Sequence, residues 1–228
     1  MALRAGDYAR SVGGAIGIAA EGVTIAFTVL MAGTLALAIG WHWAGVATIL
    51  CGFAVALFFR DPERSPANFA SERVVISGAD GTVSDVAEMP LPDGAAGERY
   101  HRVSVFMSPL NVHVNRAPVG GEIMSVLHTP GAFHAAFRDY ASERNERNLI
   151  VLSDARGRQH AMVQIAGYLA RRIVCRLHAH DTVRCGERIG LIMFGSRVDH
   201  FVPPDYRVVV KTGERVRAGE SIIAELLQ

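Results

Sequence analysis

The sequence is poor in lysine and in cysteine: Lys211 is the one lysine in 228 residues, and Cys51, Cys175 and Cys185 are the three cysteines. The cysteine spacings match neither a disulfide framework nor a zinc pattern, so a reducing compartment is expected for the folded part. Net charge is also nearly absent, at +1, which excludes the strong positive field that a nucleic-acid-binding chain carries. His178-Ala179-His180 could offer two metal ligands from one strand face, with His134 or His200 as a third. An isolated His-x-His pair lacks the full ligand spacing, so no metal is assigned.

Charge is missing altogether from residues 22–40 and 44–59. Each run is near the lower end of the roughly 17–25 residues that span a bilayer. Trp41 and Trp43 lie between the runs and suit an interfacial belt, while Arg4, Arg10, Arg60 and Arg64 flank the outer ends. This predicts a helical hairpin at the cell membrane, with the domain that follows on the cytoplasmic face. A signal peptide fits poorly, because the first run starts late and a second follows. Asp61-Pro62-Glu63-Arg64-Ser65-Pro66 is a polar, proline-punctuated exit. The expected organisation is a membrane-associating hairpin over 1–64 and a second domain over 65–228.

Beyond that boundary the sequence becomes short β-branched runs separated by Gly, Pro, Asn and Asp. Strands are predicted at 74–76, 82–86, 103–106, 112–114, 149–152, 161–165, 172–174 and 207–210. The fold class is mainly β, a compact sandwich/barrel hybrid. Val183-Arg184-Cys185-Gly186-Glu187 recurs as Val216-Arg217-Ala218-Gly219-Glu220. The repeat is similar to the turns of lipoyl- and biotinyl-type modules. No lysine stands at a hairpin tip in that setting, which argues against a swinging-arm carrier.

The stretch with the most chemical content is Gly190 to Asp199. Four apolar residues, Leu191 to Phe194, run into Gly195-Ser196, and a polar segment follows. Gly-Ser closes many ordinary β-turns. Alternatively the peptide bond is itself reactive: a serine hydroxyl can attack the preceding carbonyl, which glycine leaves open, and turn the amide into an ester. Elimination would leave a chain that begins with a pyruvoyl group, a ketone able to form a Schiff base and accept electrons. Asp80, in Ser77-Gly78-Ala79-Asp80-Gly81, is either an Asx-turn residue or a group that assists a histidine. Alternation puts Asn111, His113 and Asn115 on one strand face, an unusual density of polar groups.

Six stretches together resemble the phosphatidylserine decarboxylases, in particular their short, archaeal-type form. They are Phe58 through Arg64, Gly78-Ala79-Asp80-Gly81, Met107 through Pro118, Asn145-Glu146-Arg147-Asn148, Gln164-Ile165-Ala166-Gly167 and Gly190 through Asp199. The resemblance implies a proenzyme that cuts itself between Gly195 and Ser196 into a β chain, 1–195, and an α chain, 196–228, which stay associated. Ser196 would become the pyruvoyl group, with Asp80 and His113 assisting. The reaction implied is decarboxylation of phosphatidylserine to phosphatidylethanolamine, His113 protonating the carbanion. Asn115, Arg116 and Arg197 are the candidate contacts to the phospholipid substrate. A homo-oligomer is compatible with this reading. Two other readings are a non-enzymatic membrane adaptor with a lipoyl-like β module, and a metalloenzyme using His178 and His180.

Overall fold

The computed structural model describes residues 17–64, 73–92, 99–132, 145–167, 172–193 and 196–227. The chain divides between Glu63 and Arg64 into two compact units. The first holds helices α1 (Ala20–Ala38) and α2 (His42–Phe58). Both are apolar on every side: Phe27, Met31 and Leu35 on α1, and Leu50, Phe53 and Leu57 on α2, are exposed. A helix with no polar face gains nothing from water around it. By length and composition α1 can cross a membrane; α2 is shorter, at 17 residues. The helices meet along a glycine seam, where a Cβ on Gly45 would sit 2.6 Å from Leu37. Small residues of this kind let two backbones approach closely.

The second unit is mainly β, as expected. Its strands are β1 (Val74–Ile76), β2 (Gly81–Pro90), β3 (Arg99–Met107), β4 (Val114–Arg116), β5 (Gly121–Thr129), β6 (Arg147–Ser153) and β7 (Gln159–Ala166). There follow β8 (Ile173–Cys175), β9 (Thr182–Val183), β10 (Arg188–Ile192), β11 (Ser196–Val202), β12 (Tyr206–Val208), β13 (Arg215–Val216) and β14 (Ile222–Leu226). An eight-stranded sheet runs β13-β2-β3-β11-β7-β6-β5-β9, and two three-stranded sheets run β1-β14-β12 and β4-β10-β8.

These orders describe an internal duplication far more extensive than the five-residue repeat. One half is β1–β3 with β11–β14; the other is β4–β10. The large sheet reads the same from either end if β13, β2, β3 and β11 are exchanged for β9, β5, β6 and β7. The small sheets are the same arrangement twice. Irregularities recur in matching places, at Val83/Asp85 of β2 and Ile123/Ser125 of β5. Backbone bonds are reciprocal: Ile76 donates to the Pro118 carbonyl at 3.0 Å, and Arg116 donates to the Gly78 carbonyl at 2.9 Å. The sequence repeat supplies the turns beside β9 and β13, where Gly186 and Gly219 both have φ of 77°. Glycine takes this left-handed conformation without strain.

The halves differ in one respect. In the second, β6 returns as β7 through a hairpin over residues 154–158. In the first, the matching strands β3 and β11 are not joined, because the whole second half is inserted between them. Met107 and Ser196, which end β3 and begin β11, face each other across this opened hairpin. The chain therefore crosses between halves only over residues 108–113 and 193–195.

One apolar core serves both halves, with Val83, Val105, Ile123, Ile150, Ile192, Val198 and Val202 among its members. A smaller cluster around Leu91, Tyr100, Leu149 and Phe201 lies elsewhere on the sheet. The two longest strands outside the expected spans are β5 and β11. Strand β5 has a mostly exposed, irregular pattern broken by its bulge. Strand β11, expected as a polar segment after a turn, is buried throughout. Its charges hid it: Arg197 and Asp199 neutralise each other inside the sheet at 2.9 Å.

Strands β2 and β5 both open on a glycine pressed against a neighbouring carbonyl. A Cβ would lie 2.1 Å from the Phe106 oxygen at Gly81 and 2.0 Å from the Ser153 oxygen at Gly121. Gly81→Ala and Gly121→Ala should each lower stability by about 1–3 kcal/mol, read from the denaturant midpoint. Unchanged midpoints in both would contradict this close approach.

Candidate active site

Ser196 is completely buried as the first residue of β11, opposite Met107 of β3 on one side and Ala166 of β7 on the other. Its hydroxyl donates to the Met107 sulfur at 3.4 Å. A thioether is a weak acceptor, so this contact holds the hydroxyl only loosely. Gly195, the other half of the peptide bond expected to be cut, lies outside the described residues.

A chain of buried amides ends at the same sulfur. The Asn148 amide donates to Gln164 Oε1 at 3.0 Å, and Gln164 Nε2 donates to Asn115 Oδ1 at 2.9 Å. Asn115 Nδ2 then faces the Gly78 carbonyl at 3.4 Å and Met107 Sδ at 3.8 Å. All three amide side chains are buried. Burial is tolerable for such groups because each partner satisfies the next. Asn145 adds an amide bond to the Ala166 carbonyl at 2.7 Å, beside Ser196 on the β7 side.

His113 lies just before β4 and is buried. Its Nδ1 is 3.0 Å from the Asn111 carbonyl. A carbonyl only accepts, so Nδ1 carries the proton and Nε2 is the basic nitrogen of the neutral ring. Its own carbonyl accepts from Ile192 at 3.3 Å, which ties one chain crossing to the other.

Asp80 is held elsewhere. Arg64 Nη2 donates to Asp80 Oδ2 at 2.9 Å, with Nη1 on the other oxygen. Arg64 Nη1 also donates to the Ala218 carbonyl at 2.6 Å, while the Ala218 N–H donates to Asp80 Oδ1 at 2.8 Å. The ion pair thus grips both polar atoms of one residue. Arg64, counted in the sequence as a charge flanking the apolar run, is instead buried in this pair.

The two arginines proposed as substrate contacts have partners within the protein. Arg197 follows Ser196 in the strand, so it faces the opposite side, where it pairs with Asp199. Arg116 alternates with Asn115 and donates to the Gly186 carbonyl at 3.1 Å. Its Cδ would lie 2.9 Å from a Cβ on Gly219, so it reaches both turns of the sequence repeat.

The structure gives partners to residues that sequence reasoning placed in motifs or flanks without a site role, Met107, Gln164, Asn148 and Arg64, and to His200, which was weighed there only as a third metal ligand. Each is a polar or polarisable group within an otherwise apolar or turn segment, and that was the available signal. His200 anchors the Asp80 turn by accepting from Gly78 N at 2.8 Å, and its Nδ1 is 3.2 Å from the Val103 carbonyl. The other histidines do not gather. His178 lies beside Asp181 and His180 beside Glu122, both exposed, and His134 is outside the described residues. Among the described residues no group of three His, Cys, Asp or Glu side chains is placed to hold a metal ion.

The fold and site define a mainly β enzyme with a buried serine at a chain crossing, and comparison with known proteins identifies the class. The family model described as phosphatidylserine decarboxylase matches residues 53–224, and the chain belongs to that family of carboxy-lyases. It is 46% identical over 195 residues to the phosphatidylserine decarboxylase proenzyme of Ruegeria pomeroyi, covering 82% of this chain and 84% of that protein. It is 44% identical to that of Mycolicibacterium smegmatis (81% and 80% covered) and 46% identical to that of Oleidesulfovibrio alaskensis (88% and 89%). Membership of this family favours an enzyme over the adaptor.

Burial pushes the His200 ring down to about 4, and His160, buried beside Asp154, is also pushed down to about 4 by burial. Between that value and the ordinary 6.5, the unfolded chain binds protons that the folded chain refuses. Stability is therefore complete above about pH 6.5 and falls as pH drops toward 4, by at most about 3 kcal/mol per histidine. Melting temperature measured across this range should fall accordingly. His200→Met, which copies the residue opposite it on β7, should roughly halve the dependence, leaving the share of His160, while costing about 1–3 kcal/mol at pH 7 for the lost bond to Gly78.

Proposed function

We propose that this chain is a self-processing, membrane-associated enzyme that converts phosphatidylserine to phosphatidylethanolamine and CO2. The single observation that carries the reading is the setting of Ser196. It is a fully buried hydroxyl, held among the described residues by a thioether, at the point where the chain crosses between the two halves.

Self-processing begins when Ser196 Oγ attacks the Gly195 carbonyl carbon and His113 takes the hydroxyl proton. The Gly195–Ser196 C–N bond breaks and an ester joins the two residues. Loss of the Ser196 α-proton then expels the ester oxygen with Gly195 as a carboxylate, which separates the β chain, 1–195, from the α chain, 196–228. Water displaces the remaining nitrogen as ammonia and leaves a pyruvoyl group at residue 196. The site fits that group, since a methyl beside the Met107 sulfur replaces a hydroxyl that had only a weak acceptor there.

The pyruvoyl group, once formed, supplies an electron sink for the carboxylate that leaves. His113 is the proton donor that completes the headgroup's conversion. Asn115 lines the pocket with an amide donor. Asp80 contributes by holding its turn, with Arg64, against Ala218 of the α chain. Arg116 and Arg197 are occupied by Gly186 and Asp199, so the phosphate contact first suggested for them is not part of this mechanism.

The cut leaves the fold closed. Strand β11 keeps β3 and β7 as neighbours, β13 keeps β2, and β14 keeps β1, all across the new chain boundary. The apolar helices, α1 above all, hold the catalytic unit at the cytoplasmic face of the cell membrane, where its lipid substrate resides.

Intact mass under denaturing conditions tests the proposal. Two species split at Ser196 are expected, the smaller lighter than its encoded mass by the difference between serine and pyruvoyl. Ser196→Ala should give one uncut, inactive chain. Decarboxylation by an uncut wild-type chain would sink the reading.

A further inference from the structure

The duplication supplies an internal control for the amides around Ser196. Asn148 opposes Gln164 across β6 and β7, as His101 opposes Val202 across β3 and β11. Asn115 of β4 opposes Gly190 as Val75 of β1 opposes Ala224. The mates of Asn115 and Gln164 are thus Val75 and Val202, and both valines are buried in the main core. The same backbone builds a sound sheet with valine at those places, so the fold does not require the amides. Burying an amide is costly unless its donors and acceptors are met, and their presence in one half only needs another reason.

We infer that Gln164 and Asn148 are positioning residues that decide which edge of Asn115 faces the reaction centre. The inference rests on the reading that Ser196 attacks Gly195. Asn148 occupies Gln164 Oε1, which turns Gln164 Nε2 toward Asn115 and occupies its Oδ1. Asn115 must then point its N–H edge at Gly78 and Met107. Turned over, Asn115 would set its NH2 against the NH2 of Gln164 and its oxygen against the Gly78 carbonyl. The relay therefore admits one orientation. It keeps the Asn115 oxygen, a strong acceptor, away from the sulfur pocket that holds the Ser196 hydroxyl. The hydroxyl is left with Met107 and stays available for attack.

The test follows cleavage of freshly synthesised full-length chain on a denaturing gel, for wild type, Ser196→Ala, Gln164→Val and Gln164→Glu. Gln164→Val copies the mate position; it should fold, melting below wild type because the Asn115 oxygen and the Asn148 NH2 lose their partner, and cleave about 10- to 100-fold more slowly, the usual cost of a misplaced reacting group. In Gln164→Glu an ionised carboxylate cannot donate to Asn115 Oδ1, but a protonated carboxyl can. Its cleavage rate relative to wild type should rise as pH is lowered, while the ratio for Gln164→Val stays flat. A purely structural role predicts no such pH-dependent rescue. Wild-type cleavage rates in Gln164→Val, or a flat ratio in Gln164→Glu, would overturn the relay alone. If Gln164→Val does not fold, the Gln164→Glu ratio decides. An uncut wild type would overturn the self-cleavage reading and the relay with it.

Discussion

Everything at this site depends on β11 being clamped from its first residue. An ordinary strand frays at its ends, but Ser196 has Met107 on one side and Ala166 on the other from the moment the strand begins. The constraint originates in the duplication. Where one half closes a hairpin, the other accommodates a whole insertion, and the two strands that would have been joined remain paired. A serine in that position is rigid without being part of a continuous hairpin. Its peptide link to residue 195 can be lost without unpairing anything.

The second consequence of the same geometry is tolerance of the cut. Two chain segments cross between the halves, and processing would sever only one. The strands of residues 196–228 are interleaved with those that precede them, so separating the two products of such a cut would mean breaking four sets of ladder bonds as well as the shared core. The Arg64–Asp80 pair adds a polar anchor, since it grips the N–H and the carbonyl of Ala218 together. A buried ion pair of this kind contributes less to net stability than to specificity, because desolvation offsets much of its attraction. Here the specificity is registry between the Asp80 turn and the Ala218 turn.

Polarity in the core is distributed by function, and the two halves make this visible. Positions occupied by Val75 and Val202 on one side are Asn115 and Gln164 on the other. An interior that tolerates amides at all needs them linked into a closed set of donors and acceptors, as these are. The same economy explains His200, which is neutral because burial lowers its proton affinity, and which uses both nitrogens to fasten the Asp80 turn to β3.

Much of this was legible in the amino-acid order. Two charge-free runs, β-branched segments between turn residues, and six motifs in order were enough to anticipate an apolar hairpin, a mainly β domain and the family. Local composition carries those features because helix and strand burial depend on nearest neighbours and alternation. The five-residue repeat was a visible fragment of a duplication whose extent only pairing revealed, since ladder partners are far apart in sequence. Strand β11 was obscured for a related reason: Arg197 and Asp199 read as solvent-seeking until the fold places them against each other. The sequence by itself determined which chemical groups were present and in what order. Tertiary structure decided their partners, sending Asp80 to Arg64 and Ala218, turning Arg197 away from Ser196, and bringing Asn148, Gln164 and Asn115 into line with Met107. Charge and hydrogen-bond partners are settled by proximity across strands, which no local stretch of sequence contains.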